Sequence, residues 1–486
     1  MRVLICGGTG LIGRALSAKM LGGGHSIAVL EHSNSIMNLL GNGVRSVRGW
    51  QTEDKLIEAL EWAEVVINFS GKPIDSGRWN AKTKSELINS RVLISQRIAD
   101  GILKCSKPPK LFISASAVGY YGDGGDSELR ESDPRGSGFL AELCQQWERV
   151  ALSCQSSRTR VCVLRLGVVL SRDGGMLKAL SASLGFKFSL FFGSGKQFLS
   201  WVHLADVVRI VEKCIEDPRL EGAINCCSPM PVSSKQFAHE LGKITNCKLV
   251  FGLPGFIPKL MFGGPGGLLT KSQRALPKKL TETGHEFIYP TLESALNEEF
   301  SNEGVSISKI NASDICEKLL GRIPKLNAAQ FRLETMVSLH ESPESVFPFF
   351  ASALNLGSMA PSWVGFEIVD YPEKMEVGTT IRYKIRLGFI KIHWVSEIIE
   401  WNPDNSFIDF QYKGPYKFWV HEHKIFSDGK GGSNMSDKVT YGLGFGPIGK
   451  VVHNLFVKRA LLEIFQFRRK VIQLRFSVTN RLAKYP

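Results

Sequence analysis

Three glycines, Gly7, Gly10 and Gly13, follow the apolar run Arg2 to Cys6 at the spacing G-x-x-G-x-x-G and open a helical stretch from Leu11 to Leu21. That pattern suits the binding of a diphosphate. Gly7 can turn the chain with φ > 0, Gly10 lets backbone approach a pyrophosphate with no Cβ in the way, and Gly13 lets the helix pack closely on the strand. The helix N-terminus then offers unpaired N–H groups to the anion. Strand, turn and helix in this order predict a dinucleotide-binding βαβ unit. Glu31 stands at the end of the second strand-like run, eighteen residues beyond Gly13. A carboxylate there would accept hydrogen bonds from a ribose 2′-OH and repel a 2′-phosphate, which favours NAD over NADP. The neighbouring His32 pulls weakly the other way. In Asn68-Phe69-Ser70-Gly71 the small Ser70 and Gly71 would let an adenosine lie against backbone.

Further along, the polar residues carry separate expectations. His203, in SWVHLADVV, is a candidate acid/base on the substrate side, and Asp206 is assigned a structural role. His421 and His423 sit at i, i+2 and share one face of the segment Tyr416–Phe426 with Trp419 and Ile425, while Phe418, Val420 and Glu422 share the other. Two histidines so spaced invite a metal, but no third ligand stands near them in the sequence, and no metal is expected. Trp363, Trp394, Phe410 and Trp419 either line an apolar cavity or fill a packed core.

The elements that must position these groups have two textures. Apolar runs at Ser26–Leu30, Val65–Phe69, Leu111–Ser114 and Val161–Leu166, separated by helical composition, predict a parallel sheet wound by helices. From about Asp206 to Glu299 the pattern loosens, with Pro and Gly clusters at Gly252–Pro258 and Gly263–Gly267, which suits a smaller lobe over residues 206–300. Residues 301–327 form a linker. Beyond Phe331, alternation in Lys391–Ile399, Phe407–Tyr412 and Tyr416–Phe426 predicts antiparallel strands, followed by a helix from about Val451 to Phe476. Val452, Leu455, Phe456, Leu462 and Phe465 fall near helical spacing there, with Arg468, Arg469 and Lys470 after them. Packing of this helix on its own sheet is expected over a place on a membrane. The expected domains are therefore 1–300 and 328–480.

Composition limits the alternatives. At 486 residues the chain exceeds what one core supports. No apolar stretch of about eighteen residues appears and no secretory signal opens the chain, so a soluble, cytoplasmic protein without an integral membrane segment is expected. Ten cysteines with no C-x-x-C pair argue against a zinc site or a disulfide framework. The net charge of +14 is spread over dispersed Lys and Arg with no nucleic-acid motif beside it, so no nucleic-acid partner is expected.

Residues 1 to about 300 resemble the extended, atypical short-chain dehydrogenase/reductase family that includes epimerase-family proteins of the YfcH type. The matching segments are GGTGLIGRAL, INFSGKPI, RWNAKTKSELINSR, GYYGD, RVCVLRLGVVLSRDGGML, GSGKQFLSWVHLADVV and QRALPKKL. The resemblance implies a Rossmann-type α/β fold that binds NAD(H) or NADP(H). The binding residues it implies are the glycine turn with Thr9, Leu11 and Ile12, then Glu31 and His32, Phe69, Ser70 and Gly71, Glu86 and Arg91 on the following helix, and backbone near Val168. Relatives commonly carry Arg at the place of His32, which goes with NADP. In most such reductases a Tyr-x-x-x-Lys pair moves the proton and a Ser orients the substrate oxygen. Here the Ser is Ser116, with Ser114 nearby, but Phe139 and Leu143 hold the Tyr and Lys positions. Either Tyr120 or Tyr121 takes over proton transfer with help from a cation such as Lys72 or Arg91, or the unit binds nucleotide without turnover.

Residues from about Phe331 to Phe476 resemble the START-like, polyketide-cyclase/dehydrase (SRPBCC) superfamily in FRLETMVSLHESPESVFPFF, WNPDNSFIDFQYKGPYKFWVHEHKI and MSDKVTYGLGFGPIG. This resemblance implies an α+β helix-grip domain with an apolar ligand. The combined expectation is an NAD(P)-dependent oxidoreductase or epimerase-like enzyme acting on a small molecule and fused to a hydrophobic-ligand module. The alternative is a non-catalytic nicotinamide-nucleotide sensor. Substrate and oligomeric state stay open.

Overall fold

Short runs of β-branched and apolar residues, each closed by glycine or a polar turn, build the first sheet. Its strands are β1 (Arg2–Cys6), β2 (Ser26–Leu30), β3 (Val44–Val47), β4 (Val65–Asn68), β5 (Leu111–Ala117), β6 (Arg160–Leu166) and β7 (Gly222–Cys226), in the order β7-β6-β5-β4-β1-β2-β3. The pairings from β7 through to β2 are parallel. Strands covered on both faces should be apolar throughout, and β4 is buried at all four positions. The computed structural model describes residues 1–31, 40–74, 77–257, 267, 270–301, 304–310, 329–361, 363–372, 374–387, 390–444 and 446–476. His32, most of the linker at 301–327 and residues 263–266 of the second Pro/Gly cluster lie outside them. Internal contacts divide the described chain into two units, the first drawn from residues 1–17, 25–31 and 45–301, the second from 18–24, 40–44 and 304–476.

In the first unit the chain runs outward from β1 in two directions, which leaves a crevice at the carboxyl ends of β1 and β4, where such sheets bind ligands. The helix α1 (Leu11–Gly22) follows β1, and α2 (Glu53–Trp62), α3 (Ala81–Ile88), α4 (Ile94–Lys104) and α5 (Phe139–Leu152) follow in turn. Asn80 caps α3 by accepting from the Thr83 amide at 2.8 Å. Leu60, Val66, Ile98, Phe112 and Val163 meet in one buried cluster between helices and sheet. The expected lobe does not begin at 206: residues 204–216 form α6 and Gly222–Cys226 completes the main sheet beside β6. A five-residue strand beside the adjacent Cys226 and Cys227 carries too short a pattern to be seen as a sheet member.

Alternation governs the second unit. In β9 (Phe331–Leu339) every odd residue is buried, as expected of a sheet with one covered face. With β8 (Val305–Lys309), β10 (Val364–Asp370), β11 (Thr380–Leu387), β12 (Ile390–Asn402), β13 (Ser406–Lys413), β14 (Phe418–Ser427) and β15 (Ser433–Gly442) it forms an antiparallel sheet of order β8-β9-β15-β14-β13-β12-β11-β10. Pro343–Phe350 forms α7 and Lys458–Phe476 forms α8. Leu461 and Phe465 of α8 pack with Trp394, Trp419 and Val439, and Ile472 and Phe476 with Phe350 and Val337. The helix therefore lies on its own sheet, and Arg468, which follows its apolar positions in the sequence, is buried. Among the described residues no helix is long and apolar enough to cross a membrane.

Candidate functional site

The turn after β1 is built so that only glycine fits. Gly7 has φ +79°, and a Cβ there would lie 2.8 Å from the Phe69 carbonyl carbon. A Cβ on Gly13 would lie 2.3 Å from the Gly7 oxygen, so the first turn of α1 presses on the loop. Thr9 and Gly10 are exposed at this helix end, with Leu11 and Ile12 half-buried behind them. The Gly10 amide closes the turn on the Gly7 carbonyl at 3.1 Å. Amides aimed outward from a helix N-terminus make a diphosphate cradle.

Around the cradle, strand ends bring in the other expected residues. Glu31, at the end of β2, is buried, and its carboxylate accepts from Arg48 Nε at 2.8 Å and from the Ser46 hydroxyl. Its charge is therefore already matched by Arg48, whose own side chain is 67% exposed. At the end of β4 the Ser70 amide and hydroxyl both donate to Asn68 Oδ1, and Asn68 donates to Ser95, which also accepts from Trp147. This fixes Phe69, half-buried, and Gly71 in place. Arg91 lies on a π-helical turn, Asn89–Leu93, donates to the Lys72 carbonyl at 2.8 Å, and stacks over Trp147. Such turns recur at functional sites. Lys72 pairs with Glu86, which holds that carboxyl below its usual range. Val168, just past β6, is fixed by its amide to the Ser200 carbonyl at 2.8 Å.

Beyond β5 a buried polar chain accounts for two of the three expected catalytic residues. Ser116 donates to Glu148 at 2.7 Å, and Glu148 takes both Nε and Nη2 of Arg165 at 2.9 Å. Arg165 Nη1 donates to the Tyr121 hydroxyl at 2.8 Å, which also lies 2.8 Å from Asn225 Oδ1 and 2.9 Å from the Arg130 carbonyl. Burial pushes the Tyr121 phenol up despite Arg165 beside it. The hydroxyls of Ser116 and Tyr121 are thus committed to the interior. Tyr120 differs: it is half-buried, and the Arg165 guanidinium lies 3.6 Å from its ring centre. Among the described residues its hydroxyl has no hydrogen-bond partner. The cation that meets both phenols is Arg165, while Lys72 pairs with Glu86 and Arg91 stacks over Trp147.

His203 has both ring nitrogens engaged. Nδ1 accepts from the Ala205 amide at 3.2 Å as the cap of α6, so Nε2 carries the proton toward Glu299 at 3.0 Å. An acid/base role does not suit it. Asp206 accepts from the amides of Ile288 and Tyr289 at 2.6 and 3.1 Å, a structural bond, and burial raises its carboxyl.

The second unit holds a cavity of about 320 Å³, lined by Trp394, Tyr416, Trp419 and Phe465 among others, in the size range of small-molecule sites. Phe410 packs instead with Phe418 on the opposite face, and Trp363 is not among the lining residues. Ser396, Asp409, His421, His423 and Arg468 are among its polar lining residues. Sequence reasoning missed Glu148, Arg165, Arg48 and Asp409. The signal for Arg165 lay in the RVCVLRLG segment as a charge inside an apolar strand, where a buried charge requires a partner.

The NAD dependent epimerase/dehydratase family matches residues 3–227, and a domain of unknown function, DUF1731, matches 253–299. The chloroplastic epimerase family protein SDR39U1 homolog of Arabidopsis thaliana is 32% identical over 309 residues, covering 61% of this chain and 86% of that protein. The Homo sapiens epimerase family protein SDR39U1 is 30% identical over 303 residues, covering 61% and 99%. The crystal structure of the human protein (isoform2) with NADPH superposes with a TM-score of 0.57 at 29% identity, covering 62% of this chain and 100% of that one.

Proposed function

Because this chain belongs to the NAD dependent epimerase/dehydratase family, we propose that its first unit is an NAD(P)-dependent oxidoreductase or epimerase-like enzyme acting on a small molecule. The observation that carries this reading is the glycine cradle, where a Cβ on Gly7 would strike the backbone of Phe69 and one on Gly13 the backbone of Gly7 and Gly8, so that only glycine lets the loop close on the helix end that faces a diphosphate. The crystal structure of the human relative with NADPH supports the choice of ligand. NAD or NADP, when bound, supplies a hydride acceptor or donor at its nicotinamide. The amides of Thr9, Leu11 and Ile12 at the helix end would hold the diphosphate, the Gly10 amide being taken by the Gly7 carbonyl, and the ends of β2 and β4 would hold the adenosine half. Glu86, Arg91 and backbone at Val168 complete the binding residues.

Tyr120 is the acid that moves a proton to or from the substrate oxygen. The Arg165 guanidinium, 3.6 Å from its ring centre, is the cation beside this phenol in a chain that has Leu143 where a lysine would stand. Ser116 positions Glu148 and Arg165 and does not itself touch substrate. The second unit, with its antiparallel sheet, α8 and aromatic cavity, is a START-like module for an apolar ligand, and the domains divide at about residue 301.

A second reading, a nucleotide sensor without turnover, draws support from the interior commitment of Ser116 and Tyr121. One experiment separates the two. Full-length protein is incubated with NADH or NADPH deuterated at C4 and a panel of carbonyl compounds. Deuterium in any product supports the enzyme; tight nucleotide binding with no transfer supports the sensor.

A further inference from the structure

We propose that Asp409, His421 and His423 form a binding site for a divalent transition-metal ion, zinc or ferrous iron, with an open position facing the cavity of the second unit. The register of the sheet assembles the site. Asp409 of β13 lies directly across from His421 of β14, and His423 lies directly across from Asp437 of β15. All four therefore project from one face.

The two histidines are oriented as metal ligands are. His421 Nε2 lies 3.0 Å from Asp437 Oδ1 and His423 Nδ1 lies 2.8 Å from the same oxygen. One carboxylate thus holds the outer nitrogen of both rings, the arrangement that fixes tautomer and direction in metal sites. Asp437 is in turn clamped by Arg468 Nε at 2.8 Å on its other oxygen, while Arg468 Nη2 meets His423 on its outer edge at 3.3 Å. The inner nitrogens then converge on Asp409. Its Oδ2 is 3.2 Å from His423 Nε2 and 3.8 Å from His421 Nδ1. The Ser396 hydroxyl donates to its other oxygen, Oδ1, at 3.1 Å.

One donor atom from each of Asp409, His421 and His423 can be taken so that all lie within 4.8 Å of one another. Ligand bonds of about 2.1 Å set around one ion at tetrahedral angles require donors roughly 3.4 Å apart; the two carboxylate–imidazole pairs stand at 3.2 and 3.8 Å, and the two imidazoles within 4.8 Å of each other. His421 Nδ1 has no hydrogen-bond partner among the described residues, although the residue is 8% exposed. Two imidazoles and one carboxylate suit zinc or iron and leave coordination positions open. Those positions face the aromatic cavity, where an oxygen of a mostly apolar ligand would reach the ion. This departs from the expectation of no metal, because the third ligand lies twelve residues before His421 in the sequence yet adjacent to it across the sheet. The inference rests on the side-chain geometry of the second unit and is independent of nucleotide binding in the first.

Full-length protein is freed of metal with a chelator and titrated with Co²⁺, read by its visible d–d absorption and by calorimetry. The expected result is one cobalt per chain with visible bands, displaced by zinc. Asp437→Asn should weaken binding by about 10–100-fold, and Asp409→Asn or His421→Ala should abolish the bands. Absence of bands in the wild type at millimolar cobalt overturns the proposal. So does undiminished binding in a folded Asp409→Asn or His421→Ala variant. Should His421→Ala fail to fold, the near-isosteric Asp409→Asn and the wild-type spectrum decide.

Discussion

The Arg165 guanidinium lies 3.6 Å from the centre of the Tyr120 ring while donating two hydrogen bonds to the Glu148 carboxylate. One buried cation thus serves a structural ion pair and faces the less buried of the two adjacent phenols. Removal of the phenol alone separates these roles. Tyr120→Phe should leave folding and nucleotide affinity unchanged and lower turnover by about 10²–10⁴-fold, the usual worth of a positioned acid. Steady-state rates on any substrate found by deuterium transfer check this, and a rate within a factor of two of wild type excludes Tyr120.

Tyr121 should behave oppositely. Its hydroxyl meets Arg165, Asn225 and the Arg130 carbonyl in the interior. Tyr121→Phe strands those groups and should cost about 1–3 kcal/mol in denaturant unfolding, with turnover per folded molecule preserved. Because burial raises this phenol above its ordinary value of 10.0, its proton stays bound in the folded protein where the unfolded chain has lost it. Its contribution is whole below pH 10 and should decline as the pH rises further. Tyr121→Phe should flatten that alkaline loss in unfolding measured across the range.

Glu148 carries the largest expected stability effect. Its side chain and that of Arg165 are 7% and 4% exposed, so Glu148→Ala leaves a buried guanidinium uncompensated. The expected cost is about 3–5 kcal/mol, measured by chemical denaturation; a cost under 1 kcal/mol would show that solvent reaches the pair.

How far these sites were legible in the sequence follows from how local each one is. The glycine turn was legible because strand, turn and helix occupy consecutive residues, and Gly7 takes the positive φ its position demands. Glu31 was found, but its partner was not: Arg48 arrives just past β3, a four-residue strand with no period long enough to be seen. The shared face of Trp419, His421 and His423 follows from alternation alone. Asp409 was invisible beside them, since cross-strand register depends on which strands pair, and that is set by the packing of the whole sheet.

Arg48 also bears on nucleotide choice. With Glu31 neutralised at 2.8 Å by an exposed Arg48, repulsion of a 2′-phosphate is weakened, and NADP should bind at least as well as NAD. Arg48→Ala should shift the ratio of dissociation constants toward NAD by about tenfold, the worth of one charge-assisted hydrogen bond. An unchanged ratio would place the adenosine ribose elsewhere.

The most direct test of the account is calorimetric titration of the full-length protein and of Gly13→Ala with NAD, NADH, NADP and NADPH. The Gly13 variant sets a methyl 2.3 Å from the Gly7 carbonyl oxygen and should lose affinity by at least about a hundredfold. At least one nucleotide should bind the wild type with a dissociation constant of about 100 μM or tighter. Wild-type protein that is folded yet binds none of the four at millimolar concentration, or a folded Gly13→Ala variant that binds as well, would contradict it.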